Sequence, residues 1–380
     1  MGTGPLPVRR VSFSRSCPTR ASSGASRMGS DKDRLTVIQS LRAVAALMVV
    51  LHHARNPIPW LWNPLAHYEA FASGVDIFFV ISGLIMYAAA RDERWGEFIG
   101  KRVIRVVPMY WIATFALLAI EVARHLAPLD ATQLSHLLRS LLFIPHESPD
   151  KPGQLYPLLA VGWTLNYEMF FYALFCIGIV LRRVVAVPTA LILALVAAGA
   201  LGDLHGPLAR TYTSPLLLEF LCGLWLGVLY CRGHADRLPG WLLPAGFVGL
   251  LLVPTVSGEG LALAGRIACG VAVVAGAIGL GARAPRHALL ERLGDASYSI
   301  YLTHTVVALL LVQAMWARIP LQGPLQLAGY LLTALGVSAL VGLASYRGLE
   351  RPLTHWLRRA WTERMARRKS ASSGAAAESR

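Results

Sequence analysis

Apolar residues in this chain fall into long uninterrupted blocks, with neither the strict alternation of half-buried strands nor the narrow stripe of a surface helix. A block of about 20 apolar residues is long enough to carry one helix across a bilayer. In lipid only a helix or a closed barrel satisfies the backbone N–H and C=O groups internally. Reading runs of about 16 to 24 residues between charged or Pro/Gly-rich breaks predicts spans near residues 36–55, 74–90, 106–124, 158–181, 186–202, 213–231, 240–257, 260–282, 296–317 and 325–346. The expected fold is therefore all-α, a polytopic bundle of about ten transmembrane helices. An even number of crossings puts both termini on one side.

The breaks say which side. Basic residues gather in alternate connections: Arg91, Arg94, Lys101, Arg102 and Arg105; Arg182 and Arg183; Arg232 and Arg237; Arg283, Arg286 and Arg292; and the tail from Arg347 to Lys369. The connections between them are sparse in Lys and Arg. The positive-inside rule then predicts a multi-pass protein with cytoplasmic termini, in contact with membrane lipid. Composition agrees, with 55% hydrophobic and 15% charged residues and a mean hydropathy of +0.51. A net charge of +15 raises the question of nucleic acid. Here the cations flank helices, so they read as topology and no nucleic-acid partner is expected.

Three regions are expected: a disordered basic segment over 1–34, rich in Arg and Ser; a membrane domain over 35–355; and a basic cytoplasmic tail over 356–380. Met28 is a candidate start of translation. The five cysteines show no metal-ligand spacing and suit small packing positions, so no metal is expected. Oligomeric state is not legible in the residues.

The informative residues are the polar ones inside apolar blocks. Arg42 and His53 lie eleven residues apart in VIQSLRAVAALMVVLHHA. Eleven residues is about three turns, so both side chains point to one face, roughly 16 Å apart. Ionisable groups at membrane depth face a protein interior or a wet cavity and suggest a functional site. The structural alternative is that both snorkel to opposite headgroup layers.

Five segments, IQSLRAVAALMVVLHHA, GVDIFFVISGLIMY, KRVIRVVPMYW, GWTLNYEMFFY and LGDASYSIYLTH, in this order resemble the membrane-bound acyltransferase family 3. The resemblance covers about residues 36 to 355 and looks closest to the branch that decorates bacterial exopolysaccharides. It implies transfer of an acyl group, usually acetyl from acetyl-CoA as cosubstrate, with no permanently bound cofactor. The acceptor would be a hydroxyl of a carbohydrate or glycolipid, and the setting the bacterial inner membrane.

That resemblance assigns roles. His53 matches the histidine of the family's Arg-to-His motif and is expected to be the base that deprotonates the acceptor alcohol, a task suited to imidazole. Arg42 offers a fork of donors to the acyl donor. Asp76 is expected to hydrogen-bond His53 and raise its basicity, and Glu168 to steer the acceptor. Lys101, Arg102 and Arg105 would meet CoA phosphates at the cytoplasmic mouth, unless they are simply a positive-inside anchor. Tyr110 and Trp111 would line an acyl or pantetheine path. Tyr298 and His304 would flank the donor channel, or His304 would merely cross-link helices. Trp163 and Tyr167 could stack on a sugar ring beside Glu219, whose role stays open, while Glu350 suits structural pairing. Direct attack and an acyl-histidine relay both fit.

Two other function classes remain in view. Buried charges in ten helices also describe secondary transporters of sugars or other polar solutes. A non-catalytic scaffold of polysaccharide assembly is the third.

Overall fold

The computed structural model describes residues 24–124, 130–256, 259–285 and 287–378. Among them the chain is helical throughout, with one isolated bridge, Ser148 to Lys151, in place of any strand. The helices are α1 (Gly24–Ala54), α2 (Gly74–Ala90), α3 (Trp95–Ala123), α4 (Ala131–Leu141), α5 (Trp163–Val180), α6 (Ala186–Leu201), α7 (Pro207–Tyr212) and α8 (Leu217–Cys231). They continue as α9 (Leu242–Val256), α10 (Glu259–Leu280), α11 (Ala288–Asp295), α12 (Ser297–Thr303), α13 (Leu309–Trp316), α14 (Gly323–Ser345) and α15 (Arg351–Glu378).

Eight helical segments among the described residues are long and apolar enough to cross a membrane: Thr36–Ala54, Glu69–Ala90, Trp95–Ala123, Ala160–Val180, Pro207–Cys231, Leu261–Leu280, Ser297–Trp316 and Gly323–Met365. Two shorter apolar helices, Ala186–Leu201 and Leu242–Val253, fall where the fifth and seventh spans are predicted. The chain is thus an all-α multi-pass membrane bundle.

The terminal segments are more helical than their composition suggests. α1 begins at Gly24, inside the stretch expected to be disordered, because extending an existing helix avoids the cost of nucleating one. Residues 1–23 lie outside the described residues. At the other end, α14 runs through a π-turn at Tyr346–Glu350 into α15, whose Ala, Arg and Glu content favours helix.

Small residues set the packing. A Cβ at Gly83 would collide with the Phe220 carbonyl, and one at Gly223 with the Val80 carbonyl, so α2 and α8 touch backbone to backbone. Gly74 on α2 approaches the Ala45 carbonyl of α1 in the same way, and Gly294 on α11 approaches Gln39. As a result α1 is enclosed by α2, α10, α11, α12 and α14. That enclosure makes its polar face an interior face.

Outside the bundle, α4 is capped by the Asp130 carboxylate, which accepts the Gln133 N–H at 2.8 Å. It buries Gln133, His136 and Ser140 and exposes Leu134, Leu138 and Leu142. An apolar face turned outward suits a helix lying along a bilayer surface.

Candidate active site

α1, α2, α3, α5 and α12 surround a cavity of about 100 Å³, room for several waters. Arg42, Arg102, Arg105, Glu168, Tyr172 and Ser297 supply its polar wall, and Phe78, Phe79 and Tyr301 much of its apolar wall. Arg42 reaches across from α1 and donates Nε and Nη2 to the Ser297 hydroxyl at 3.2 and 3.0 Å. The Glu168 carboxylate accepts the Ser82 hydroxyl at 3.0 Å and the Tyr172 hydroxyl. Arg102 lies over the rings of Phe98 and Tyr172, 5.4 and 5.8 Å from their centroids.

Three guanidiniums face this cavity against the single carboxylate of Glu168, with Glu350 held nearby by the Ser299 hydroxyl at 2.6 Å. Arg358 of α15 adds a further cation beside Arg102 and Arg105. The sequence reading missed it because α15 meets α3 only in the folded chain, where Trp361 packs against Gly100. A wet pocket with excess positive charge suits an anionic ligand.

His53 sits at the far end of α1, half-buried. Its Nδ1 lies 3.0 Å from the Val49 carbonyl and 3.2 Å from Nε2 of His304. His304 is fully buried, and its Nδ1 lies 2.7 Å from the Tyr301 carbonyl and 3.3 Å from that of Ile300. The sequence reading left His304 between the donor channel and a hydrogen-bonded cross-link of helices, and did not name His53 as its partner. The signal was present: Ser297, Tyr301 and His304 follow the i, i+4, i+7 spacing of one helix face. That face runs along α1, meeting Arg42 with Ser297 and His53 with His304. Tyr301 lines the cavity and also stands 6.1 Å, ring to ring, from His304. It joins the cationic end of the site to the histidine end.

His52 points elsewhere. Its Nδ1 lies 2.9 Å from Arg55 Nη2, which pairs with Glu69 at 2.8 Å, while Arg55 also donates to the Ala66 carbonyl. Arg55, 2% exposed, thereby ties down the connection to α2.

Other expectations are redrawn by the packing. Asp76 makes no contact with His53 among the described residues; its carboxylate lies 3.6 Å from Arg266 Nε and beside the carboxyl of Glu219. The reason is angular: Gly74 faces α1, and two residues further on a helix is about 200° around. Glu219 is therefore sealed in the α2–α8–α10 core, 0% exposed, away from the cavity. Lys101 is held by Glu93 and Glu97 at 2.6 and 2.7 Å and does not line the cavity. Tyr110 is a core residue tilted against Phe143, and Trp111, 41% exposed, donates Nε1 to the Leu141 carbonyl; neither lines the cavity. Trp163 and Tyr167 pack on Phe79, which lines the cavity, but do not line it themselves. Tyr298 lines the cavity and donates its hydroxyl to the Val106 carbonyl at 2.7 Å. No group of three or more metal-ligating side chains occurs among the described residues.

The sequence profile of the Acyltransferase domain family (Acyl_transf_3) matches residues 36–343. The chain is 38% identical over 303 residues to the exopolysaccharide production protein ExoZ of Rhizobium meliloti (strain 1021), an alignment covering 76% of this chain and 90% of that protein. No solved structure matches the chain.

Proposed function

This chain belongs to acyltransferase family 3, and on that premise we propose that it moves an acyl group, acetyl in the first instance, from acyl-CoA to a hydroxyl of a carbohydrate or glycolipid acceptor. The similarity to an exopolysaccharide production protein supports an exopolysaccharide unit as that acceptor. The observation that carries the reading is the single interior face of α1. Arg42 stands at one end of it in a cavity with Arg102 and Arg105, and His53 stands about 16 Å along it beside His304.

An acyl-CoA presents phosphates, a long thioester arm and a carbonyl. In this reading the phosphates meet Arg102, Arg105 and Arg358 at the cytoplasmic mouth, and the arm passes Arg42 and Tyr301 toward His53. An alcohol becomes a competent nucleophile when a base takes its proton, and His53 is the titratable side chain at that end of the path. The acceptor enters from the opposite side of the inner membrane, where His53 and the Arg55-pinned connection lie.

The test is turnover by purified protein in lipid, given radiolabelled acetyl-CoA and a lipid-linked oligosaccharide. Label is expected in the oligosaccharide with wild type and not with His53→Gln at equal yield. Uptake of a polar solute into proteoliposomes without acetyl-CoA consumption would favour a transporter and overturn the proposal.

A further inference from the structure

We propose that His304 is a positioning residue: it accepts the Nδ1 proton of His53 and so fixes the imidazole with its Nε2 lone pair free for the acceptor hydroxyl. The inference rests on the function proposed above and adds which nitrogen acts and what decides it.

Protons can be placed along one hydrogen-bond chain. His304 Nδ1 faces only carbonyl oxygens, those of Tyr301 at 2.7 Å and Ile300 at 3.3 Å, so this nitrogen carries the hydrogen. His53 Nδ1 faces the Val49 carbonyl at 3.0 Å and His304 Nε2 at 3.2 Å. A carbonyl oxygen is never a donor, so His53 Nδ1 also carries a hydrogen. Only one neutral assignment then gives every contact a donor, each Nδ1–H being shared by its two acceptors: Nε2 of His304 is an acceptor, and Nε2 of His53 holds a lone pair. His53 Nε2 has no partner among the described residues and is not among the sealed polar atoms of the core.

Val49 alone would leave the ring free to swing about its Cβ–Cγ bond. The second acceptor, from a different helix, removes that freedom. Its own orientation is unusual: a π-turn over His304–Ala308 begins at this residue, after α12 ends at Thr303. Single π-turns inside α-helices cluster at functional positions. His304 is also fully buried, with no carboxylate partner among the described residues, so it holds His53 without competing for the proton.

The acceptor O–H gives its proton to His53 Nε2 as its oxygen forms a bond to the thioester carbonyl carbon. The C–S bond breaks, and the same proton passes from Nε2 to the departing thiolate, leaving ester and free CoA. While His53 holds both protons, its Nδ1–H stays shared between the Val49 carbonyl and His304 Nε2, which is where the transient positive charge is stabilised.

Two polar variants of matched character test the geometry. The Gln side-chain tip reaches the place of the imidazole Nε2, whereas that of Asn reaches only the place of Nδ1. His304→Gln is expected to keep most of the wild-type kcat. His304→Asn should lose roughly tenfold to a hundredfold in kcat at unchanged KM for acetyl-CoA, the usual scale for an orienting partner. If Asn and Gln variants turn over alike at the wild-type rate, or if KM for acetyl-CoA rises while kcat holds, the positioning role is wrong and His304 belongs to the donor path or to packing. Wild-type protein that never acylates the oligosaccharide overturns the function itself, and this role with it.

Discussion

Arg42 places two of its donors, Nε and Nη2, on one hydroxyl, that of Ser297, and makes no ion pair with a carboxylate among the described residues. The guanidinium is therefore oriented but not neutralised by a direct partner. Its remaining donors are available to an anionic or carbonyl-bearing ligand in the cavity. Arg42→Lys keeps the charge and loses the fork, and one charge-assisted hydrogen bond contributes roughly 1.5–3 kcal/mol. The expected result is a KM for acetyl-CoA raised about tenfold or more. Ser297→Ala should cost about two- to threefold, within the range of a neutral hydrogen bond. Equal losses in the two variants would mean that Arg42 acts by clamping α1 to α12.

The three basic residues at the start of α3 are not equivalent. Lys101 is engaged by Glu93 and Glu97 at a partly exposed surface, where an ion pair contributes about 0–1 kcal/mol. Arg102 and Arg105 line the cavity, and Arg102 Nε has no hydrogen-bond partner. Lys101→Ala is expected to leave the KM for acetyl-CoA within about twofold, on the scale of such a pair. Arg102→Ala and Arg105→Ala should each raise it clearly more. A steady-state titration of acetyl-CoA against the three variants decides the order.

How much of this was legible in the sequence depends on distance along the chain. Apolar block length predicts the helices and their order, because burying a backbone in lipid is a local requirement. The face shared by Arg42 and His53 is likewise local, a matter of helix pitch. What cannot be read from one helix is which neighbour each face meets. Asp76 and His53 are both near the same ends of consecutive helices, yet Gly74 turns Asp76 toward α8 and α10. The pairing of His53 with His304 joins residues 251 apart, and only the i, i+4, i+7 face of SYSIYLTH hinted at it. Tyr110 and Trp111 follow the same rule, adjacent in sequence and split between core and surface.

Arg266 is the direct cation for two carboxyls in the α2–α8–α10 core, lying 3.6 Å from Asp76 with Glu219 just beyond. Removing one partner of a buried pair strands the other, at a cost of roughly 3–5 kcal/mol; partial exposure of Arg266 places this site at the low end. Arg266→Met is therefore expected to lower the melting temperature in detergent markedly. Glu219→Gln keeps the volume and a donor beside the Asp76 carboxylate, so it should leave melting nearly unchanged. Scanning fluorimetry of both proteins is sufficient. A Glu219→Gln protein that melts as early as Arg266→Met would show that the carboxylate, not the charge balance, holds the three helices.

Beyond the bundle, His136 Nδ1 and His146 Nε2 meet at 2.7 Å, and His146 Nδ1 lies 2.7 Å from the Ile144 carbonyl. Burial, and then the neighbouring His146, push the His136 imidazole down to about 4, against a smaller opposing pull from Asp150. Burial also lowers His146, with the Ile144 carbonyl opposing it and Arg139 adding to it. Both rings are thus favoured neutral in the folded connection, while an opened connection protonates them near the ordinary 6.5. Between about 6.5 and 4 the open form binds more protons, so the stability of this region is complete above 6.5 and declines as pH falls through that window. Hydrogen exchange over residues 130–157 should accordingly speed up from pH 7 to pH 4.5, after correction for the intrinsic rate, with the helices of the bundle unaffected. His136→Phe removes one titrating ring and leaves His146 Nε2 without a donor. Protection in that variant is expected to start lower at neutral pH and to vary less with pH. A wild-type profile that is flat between pH 7 and 4.5 would exclude the pair as the source of any acid sensitivity here.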